Sequence, residues 1–312
     1  MTQKKRWTTE DIPDQAGRLF VVTGANSGLG LATTRALASR GARVILAVRD
    51  EEKGRRAVAE ISAAQPDAAL EVRPLDLADL DSVRAFAAGM RADHPRLDVL
   101  VNNAGVMAPP RSLSAQGHEL QFAANHLGHF ALTGLLLDLL GGGHDPRVVT
   151  VSSIKHRQGR IRFDDLSGEH GYKPMAFYDQ SKLANALFGH ELHRRLTGAG
   201  SPVRSVLAHP GYTATNLQLA APTGLMRFVF GRIGNPLLAQ SPAHGALPQL
   251  YAATAPDVTG GDFFGPDGPA ELRGAPTRVR LSPAATDPGT AARLWQLSEE
   301  LTSVRFTIPE IP

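Results

Sequence analysis

The sequence predicts an α/β fold: a single doubly wound domain built on a mostly parallel sheet of about seven strands. Three observations lead there. Between residues 19 and 206, short β-branched or leucine-rich runs alternate with longer stretches of helical periodicity, the βαβ rhythm of a parallel sheet. The first run leads straight into a glycine-rich turn and then into a helical pattern. No repeat, charge run or linker divides the series, so the 312 residues read as one large domain, although length alone would allow two.

Strands are expected at 19–22, 43–48, 70–75, 97–101, 147–152 and 203–208. Each is short and apolar, as strands covered by helices on both faces must be. Helical periodicity predicts helices over 28–40, 51–64, 80–92, 116–140 and 176–196, and Gly141, Gly142 and Gly143 make a turn before the fifth strand. A Pro/Gly-rich stretch from 256 to 288 carries one more short apolar run, 262–264, ahead of a last helix over 288–301. Residues 1–16 are expected to form an N-terminal arm and 17–312 the domain, with an elaborated C-terminal third.

Composition removes several function classes. The chain is 42% hydrophobic and 20% charged, an ordinary globular balance. Its formal net charge is +3, with Lys and Arg spread along the chain, so nucleic acid is not an expected partner. The densest basic stretch, Lys4 to Arg6, reads as a solvated tail. There is no cysteine, which excludes disulfides, thiolate nucleophiles and cysteine-based metal sites. The N-terminus lacks the apolar core of a signal peptide, and no run approaches the roughly 18 apolar residues of a spanning helix, so a cytoplasmic location without an integral membrane segment is expected.

Metal and hydrolase chemistry are not expected either. His118-Glu119 opens like a zinc-protease helix, but Phe122 stands where the second histidine would be. The pairs His126 with His129 and His190 with His193 lack a third ligand nearby in sequence. No Gly-x-Ser-x-Gly nucleophile elbow occurs.

The turn after the first strand reads Thr23-Gly24-Ala25-Asn26-Ser27-Gly28-Leu29-Gly30. Glycines let backbone approach a diphosphate closely, and free N–H groups at a helix start favour its charge. The Gly-Lys-Ser/Thr ending of an ATP-binding loop is missing, so a dinucleotide is the natural occupant. The second strand should end beside the adenosine ribose, where an acid would select NAD. Here it ends Ala47-Val48-Arg49-Asp50. Val48 takes the place of that acid, and Arg49 can grip a 2′-phosphate, which favours NADP. Asp50 reads as a helix N-cap, though a one-residue shift of the strand end would make it a ribose ligand.

Tyr178 and Lys182 are four residues apart in a segment of helical periodicity, so they share a helix face. A nearby ammonium should favour the phenolate and make the tyrosine a general acid and base. The fifth strand ends in Val151-Ser152-Ser153, placing hydroxyls at the carboxyl edge of the sheet, where doubly wound folds bind ligands.

With these residues in view, the chain from Leu19 onward resembles the short-chain dehydrogenase/reductase family, whose domain is of the Rossmann type. The resemblance rests on the Thr23 to Gly30 turn, Asn102-Asn103-Ala104-Gly105, Asn125, Ser153, Tyr178 with Lys182, and Pro210-Gly211. It implies an NADP(H)-dependent oxidoreductase acting on a carbonyl or a primary or secondary alcohol. Tyr178 would donate or accept the proton, and Lys182 would lower its pKa and bind the nicotinamide ribose. Ser153 would orient the reacting oxygen, with Ser152 as its possible substitute, and Asn125 would hold a water linking Lys182 to solvent. Gly24, Asn26, Ser27, Gly28, Leu29 and Gly30 would cradle the cofactor, with Arg49 at its phosphate. Asp76 and Leu77 would meet the adenine, and Asn103, Ala104 and Gly105 the adenosine side. Pro210, Gly211, Thr213 and Thr215 would meet the carboxamide and phosphates.

Ser153 lies 25 residues before Tyr178, about twice the usual family interval. The insert at 155–175 resembles that of the retinol-dehydrogenase and protochlorophyllide-reductase branch, while the opening Trp7 to Asp14 resembles soluble bacterial members. The family carries a substrate lid where this chain has 212–240, rich in Leu217, Leu225, Met226, Phe228 and Phe230. A small apolar substrate is one reading of that lid; ordinary core or subunit packing is another, and a weak membrane-surface contact a third. Relatives commonly pair through the helices at 116–140 and 176–196, which implies a homodimer or homotetramer unless the insert alters that face. A cofactor-binding sensor or scaffold without turnover is the alternative of a different class.

Overall fold

The computed structural model describes residues 6–213 and 239–308. An eight-stranded sheet forms the centre, in the order β3-β2-β1-β4-β5-β6-β7-β8. The strands are β1 (Leu19–Thr23), β2 (Arg43–Val48), β3 (Leu70–Pro74), β4 (Val99–Asn102), β5 (Arg147–Val151), β6 (Arg204–Ala208), β7 (Phe263–Pro266) and β8 (Pro276–Arg278). β1 to β7 pair in parallel, and β8 runs antiparallel to β7. β1, β4 and β5 are buried throughout, as central strands covered on both faces must be. β3, at one edge, is only half-buried and carries Glu71 and Arg73, whose charges oppose further strand pairing.

The expected seven strands become eight. β8 has three residues and begins with a proline, too short for an alternating pattern and confined to the edge, where a missing N–H does no harm.

Helices cover both faces. On one, α1 (Gly28–Ala38), α2 (Glu51–Ala64) and α8 (Leu247–Thr254) pack Leu37, Ala57, Leu250 and Ala253 against Val22, Leu46 and Val206. On the other, α3 (Leu80–Asp93), α5 (Gly128–Gly141) and α6 (Pro174–Gly198) pack Phe86, Met90, Phe130, Leu136 and Leu192 against Val21, Ile45 and Val148. Two short helical pieces also occur among the described residues, α4 (Leu120–Phe122) and α7 (Pro242–Gly245).

The helix expected over 116–140 starts later and is not uniform. Gln116 is turned aside to accept from the Leu80 N–H at 3.1 Å, and Leu113 bridges Glu119. Between α4 and α5 the chain makes a π-turn, Ala123–Leu127, which contains Asn125. Such a turn often marks a functional position, because it changes which carbonyls are bonded within the helix.

The last helix, α9 (Pro288–Thr302), lies over α5 and α6. Trp295 meets Phe130 with ring centroids 5.1 Å apart, and Phe306 meets Trp295 at 4.5 Å. The outer faces of α5 and α6 beneath α9 are therefore buried within the chain, and pairing through them would require α9 to leave. At the other terminus Trp7 packs edge-on against Tyr251 at 5.1 Å, and Ile12 is buried.

Candidate active site

The turn after β1 is shaped by backbone. Gly24 and Gly28 have φ of 66° and 51°, the left-handed region that side-chain-bearing residues avoid. A Cβ on Gly30 would strike the Gly24 carbonyl oxygen and lie 2.7 Å from Asn103 Nδ2, so α1 begins in direct contact with the turn. Ser27 occupies the N-cap position of α1 without capping it through its side chain, and no acidic residue stands in the first turn. Asn26 and Leu29 are half-buried beside it. A helix start without a side-chain cap, left-handed glycines and no opposing carboxylate fit a bound diphosphate.

Thr23 joins this turn to the rest of the site. Its Oγ1 accepts from the N–H groups of Asn103 and Ala104, both at 2.9 Å, and lies 2.9 Å from His129 Nε2. His129 Nδ1 is 2.9 Å from the Asn125 carbonyl oxygen, which can only accept. The proton therefore sits on Nδ1, and Nε2 accepts from the Thr23 hydroxyl. Burial holds His129 down to about 4, so the imidazole is neutral at physiological pH. Sequence reasoning weighed His129 only as half of a metal pair; its position four residues after Asn125, on the same helix face, was the available signal. Among the described residues no group of three or more His, Asp or Glu side chains is arranged to hold a metal.

The Asn103 side chain is engaged inside the protein. Its Nδ2 donates to the Thr23 carbonyl at 2.8 Å, and its Oδ1 accepts from Gln249 Nε2 at 3.1 Å. Asp76 is half-buried, with Oδ1 accepting from the Ala78 N–H at 2.9 Å, and Leu77 is buried under Gly128.

β2 ends at Val48 and Arg49 follows it directly, exposed and without a hydrogen bond or ion pair among the described residues. Asp50 is the N-cap of α2: its Oδ1 accepts from the Lys53 N–H at 3.0 Å and its Oδ2 lies 3.0 Å from Lys53 Nζ.

Four residues of the expected catalytic set come together beyond the carboxyl edge of β4 and β5. Asn125 is fully buried; its Oδ1 accepts from the Val106 N–H at 2.7 Å, and its Nδ2 donates to the Val106 carbonyl and to Ser181 Oγ, each at 2.9 Å. Gly105 lies between Asn125 and Lys182: a Cβ there would be 3.2 Å from Asn125 Oδ1 and 3.6 Å from Lys182 Nζ. Lys182 Nζ donates to the Val151 carbonyl at 3.2 Å and lies 5.8 Å from the centroid of the Tyr178 ring. The Ser153 hydroxyl is close enough to Tyr178 to favour its ionised form.

Ser152 and Ser153 differ sharply. Ser152 Oγ donates to the Lys182 carbonyl at 2.8 Å, pinning α6 to the end of β5. Ser153 caps the 3-10 helix Ile154–Gln158 through its Oγ, which accepts from the Lys155 N–H at 3.2 Å, and its hydroxyl remains beside the phenol.

The electrostatics depart from expectation. Burial pushes Tyr178 up to about 12; the Ser153 hydroxyl opposes this and the Asp179 carboxylate adds to it. Lys182, whose Nζ lies 5.8 Å from the centre of the same ring, is itself pushed down to about 8 by burial. Tyr178 therefore keeps its proton at neutral pH.

Beyond β6, Gly211 adopts φ of 65°, and Thr213 Oγ1 donates to the Pro210 carbonyl at 2.9 Å. Thr215 and almost all of the expected lid lie outside the described residues. The insert is anchored rather than free: Tyr172 OH donates to the Pro109 carbonyl at 3.0 Å, Gln121 Nε2 donates to that hydroxyl at 2.9 Å, and the Arg162 N–H donates to Gln180 Oε1 at 2.8 Å. Among the described residues no helix is long and apolar enough to cross a membrane.

Comparison with known proteins gives this geometry its family. Residues 18–224 match the profile of the short chain dehydrogenases. Retinol dehydrogenase 12 of Bos taurus is 41% identical over 292 residues, 93% of this chain and 88% of that protein. A structure of an uncharacterised protein from Mycobacterium paratuberculosis superposes with a TM-score of 0.81 at 47% identity, covering 97% of this chain and 100% of that one. A short chain dehydrogenase from Shigella flexneri complexed with NADP superposes with a TM-score of 0.60 at 25% identity, over 78% of this chain and 93% of that one. With its sheet, its turn and nearly its whole length shared in this way, the chain belongs to the short chain dehydrogenase family of oxidoreductases, in the branch that contains the retinol dehydrogenases.

Proposed function

We propose that this protein is an NADP(H)-dependent oxidoreductase that moves hydride between nicotinamide and the carbonyl or alcohol carbon of a small apolar substrate, with Tyr178 as general acid and base. One observation carries the reading: Ser153, Tyr178 and Lys182 are gathered, each at least nine-tenths buried, at the carboxyl edge of β5, beside Asn125.

A bound nicotinamide dinucleotide supplies or accepts the hydride; the protein handles the proton and the geometry. Because burial pushes it up to about 12, Tyr178 carries its proton at neutral pH and is ready to give it to an oxygen that gains charge during carbonyl reduction. Ser153, whose hydroxyl lies beside the same phenol, holds that oxygen in line. Lys182 binds the nicotinamide ribose, and its ammonium favours the phenolate that remains. Asn125, fixed by three side-chain hydrogen bonds, holds a water that returns the proton from solvent through Lys182. Gly24, Asn26, Ser27, Gly28, Leu29 and Gly30 hold the diphosphate, and Asp76 and Leu77 the adenine. Asn103, through its backbone, holds the adenosine side with Ala104 and Gly105, while Pro210, Gly211, Thr213 and Thr215 complete the cradle.

Three facts support NADP over NAD. Val48 ends β2 where an acid would select NAD, Arg49 is exposed with its guanidinium free among the described residues, and Asp50 is held as a helix cap. The Shigella flexneri relative was also solved with NADP. The apolar substrate is supported by the retinol in the relative's name, and a cytoplasmic location is part of the same proposal.

Titrating the protein with NADPH and NADH by fluorescence, in parallel with Arg49→Ala, tests the cofactor. Losing a charge-assisted contact should weaken NADPH by roughly ten- to a hundred-fold and leave NADH unchanged. NADPH consumption with apolar aldehydes and ketones should then fall by about 10²- to 10⁴-fold in Tyr178→Phe. Folded protein that binds neither nucleotide would end the proposal, and tight binding without turnover across the screen would favour a sensor.

A further inference from the structure

The chains leaving β5 and β6 separate just beyond the last paired residues, Val151 and Ala208. One passes through Ser153 into the 3-10 helix Ile154–Gln158; the other continues as His209-Pro210-Gly211. A carboxylate from far along the chain spans the gap. Arg157 Nη2 reaches both oxygens of Glu271, at 2.7 and 2.8 Å, and His209 Nε2 lies 3.0 Å from Oε2. The Gly211 N–H donates to His209 Nδ1 at 3.2 Å, so the ring proton is on Nε2 and is donated to Glu271. Gly265 of β7 makes room for this, since a Cβ there would fall on the His209 ring.

The neighbouring contacts reinforce both arms. His156 donates from Nδ1 to the Ser153 carbonyl at 2.6 Å, and its ring meets Phe263 at 5.5 Å; the His209 ring meets the same Phe263 at 5.2 Å. Leu272, next to Glu271, accepts the Tyr212 N–H at 2.7 Å, and its carbonyl oxygen occupies the space that a Cβ on Gly211 would need.

The backbone at this point is strained. Ala270 and Glu271 are consecutive residues with φ of 51° and 56°, and neither is glycine. Such a conformation persists only where surrounding contacts over-determine it. The Arg157–Glu271 pair is partly exposed, at 38% and 24%, and an ion pair of that kind adds little to stability by itself. Its effect is therefore on position. Residue 271 also lies beyond residues 18–224, the part matched to the family profile.

We propose that Glu271 is a positioning residue: through Arg157 and His209 it ties the turn that carries Ser153 to the Pro210-Gly211 turn, and so sets the reacting-oxygen site against the cofactor site. This rests on the functional reading above. In this role Glu271 acts through Arg157 and His209.

Three variants test it: Glu271→Ala, Glu271→Gln, which keeps the size and an accepting oxygen, and Ala270→Gly, which relieves the strained backbone without touching the carboxylate. Amide hydrogen exchange, thermal midpoint, NADPH affinity and reductase activity are measured for each. In Glu271→Ala, exchange should rise together in 154–158 and 209–213, and kcat should fall by roughly ten- to a hundred-fold, as a displaced orienting group would cause. Glu271→Gln should recover most of both. Ala270→Gly should leave kcat and exchange in the two arms unchanged, with a midpoint no lower than the parent's. Exchange rising only in 267–275, or a lowered midpoint with kcat and NADPH affinity intact, would overturn the proposal and leave Glu271 a local latch. If the parent protein itself lacks NADPH-linked reduction, the functional reading fails, and the exchange of the two arms decides alone whether the clasp exists.

Discussion

The two sides of this active site are built differently. The cofactor side, after β1, is made by backbone: Gly24, Gly28 and Gly30 lie within seven residues, and Thr23 binds the backbone N–H groups of Asn103 and Ala104. The substrate side, after β5, is made by side chains drawn from distant positions: Ser153, Tyr178 and, across the mouth, Arg157, His209 and Glu271. A site made by backbone is written as glycines at fixed spacing and tolerates no added Cβ. A site made by side chains shows in sequence only the residues that do chemistry, and the residues that hold them are found only after folding.

Trp295→Ala asks whether the C-terminal third acts as one unit with the substrate side. Trp295 is 2% exposed, surrounded by Phe130, Phe188 and Phe306, with Arg195 over its ring at 4.3 Å. Removing it should cost about 3 to 5 kcal/mol of stability in urea unfolding. It should leave NADPH affinity and kcat at 25 °C within about two-fold, since the side chains around Trp295 include none of the expected catalytic residues and none of the Glu271 clasp. A large fall in kcat with the fold intact would mean that the last helix shapes the site and does not merely cover it.

Much of the fold was legible because its signals are local. β2 and α2 fall at the expected residues, since a β-branched run and the Asp50 cap mark their ends within a few positions. The choice between Ser152 and Ser153 was not legible: both stand at the same strand end, and only the contact of Ser152 with the Lys182 carbonyl separates them. The π-turn around Asn125 was hidden because its residues have ordinary helical periodicity, and β8 because three residues carry no period. The expected lowering of the Tyr178 pKa was a local argument from the Lys182 spacing, and burial, which spacing cannot report, outweighs it.

Gly30→Ala tests the backbone side directly. The new methyl would meet the Gly24 carbonyl and the Asn103 amide, groups that cannot both yield without opening the turn. Overpacking of this kind should cost about 1 to 3 kcal/mol, read as a lower urea midpoint, and should weaken NADPH binding as well. Undiminished NADPH affinity would show that the turn can relax, and the contrast between a rigid backbone side and an adjustable side-chain side would be lost.

Ser152→Ala and Ser153→Ala carry the smallest expected changes in stability and the sharpest division of labour. Ser152 is buried, and its hydroxyl joins α6 to β5, so Ser152→Ala should cost about 1 kcal/mol of stability for one lost hydrogen bond and leave kcat nearly unchanged. Ser153→Ala should cost less than that, because its Oγ accepts only one long bond from the Lys155 N–H at 3.2 Å. Its kcat should nevertheless fall by roughly 10²- to 10³-fold, the usual effect of removing a donor to a reacting oxygen. The Ser153 hydroxyl also opposes the upward shift of Tyr178, so its loss should carry the tyrosine limb of the pH profile to higher pH. The reverse outcome, an inactive Ser152→Ala and an active Ser153→Ala, would mean that the bond to Lys182 matters more than the hydroxyl beside the phenol. Catalysis would then depend on how α6 is seated on the sheet, and the substrate side would be governed by backbone placement just as the cofactor side is.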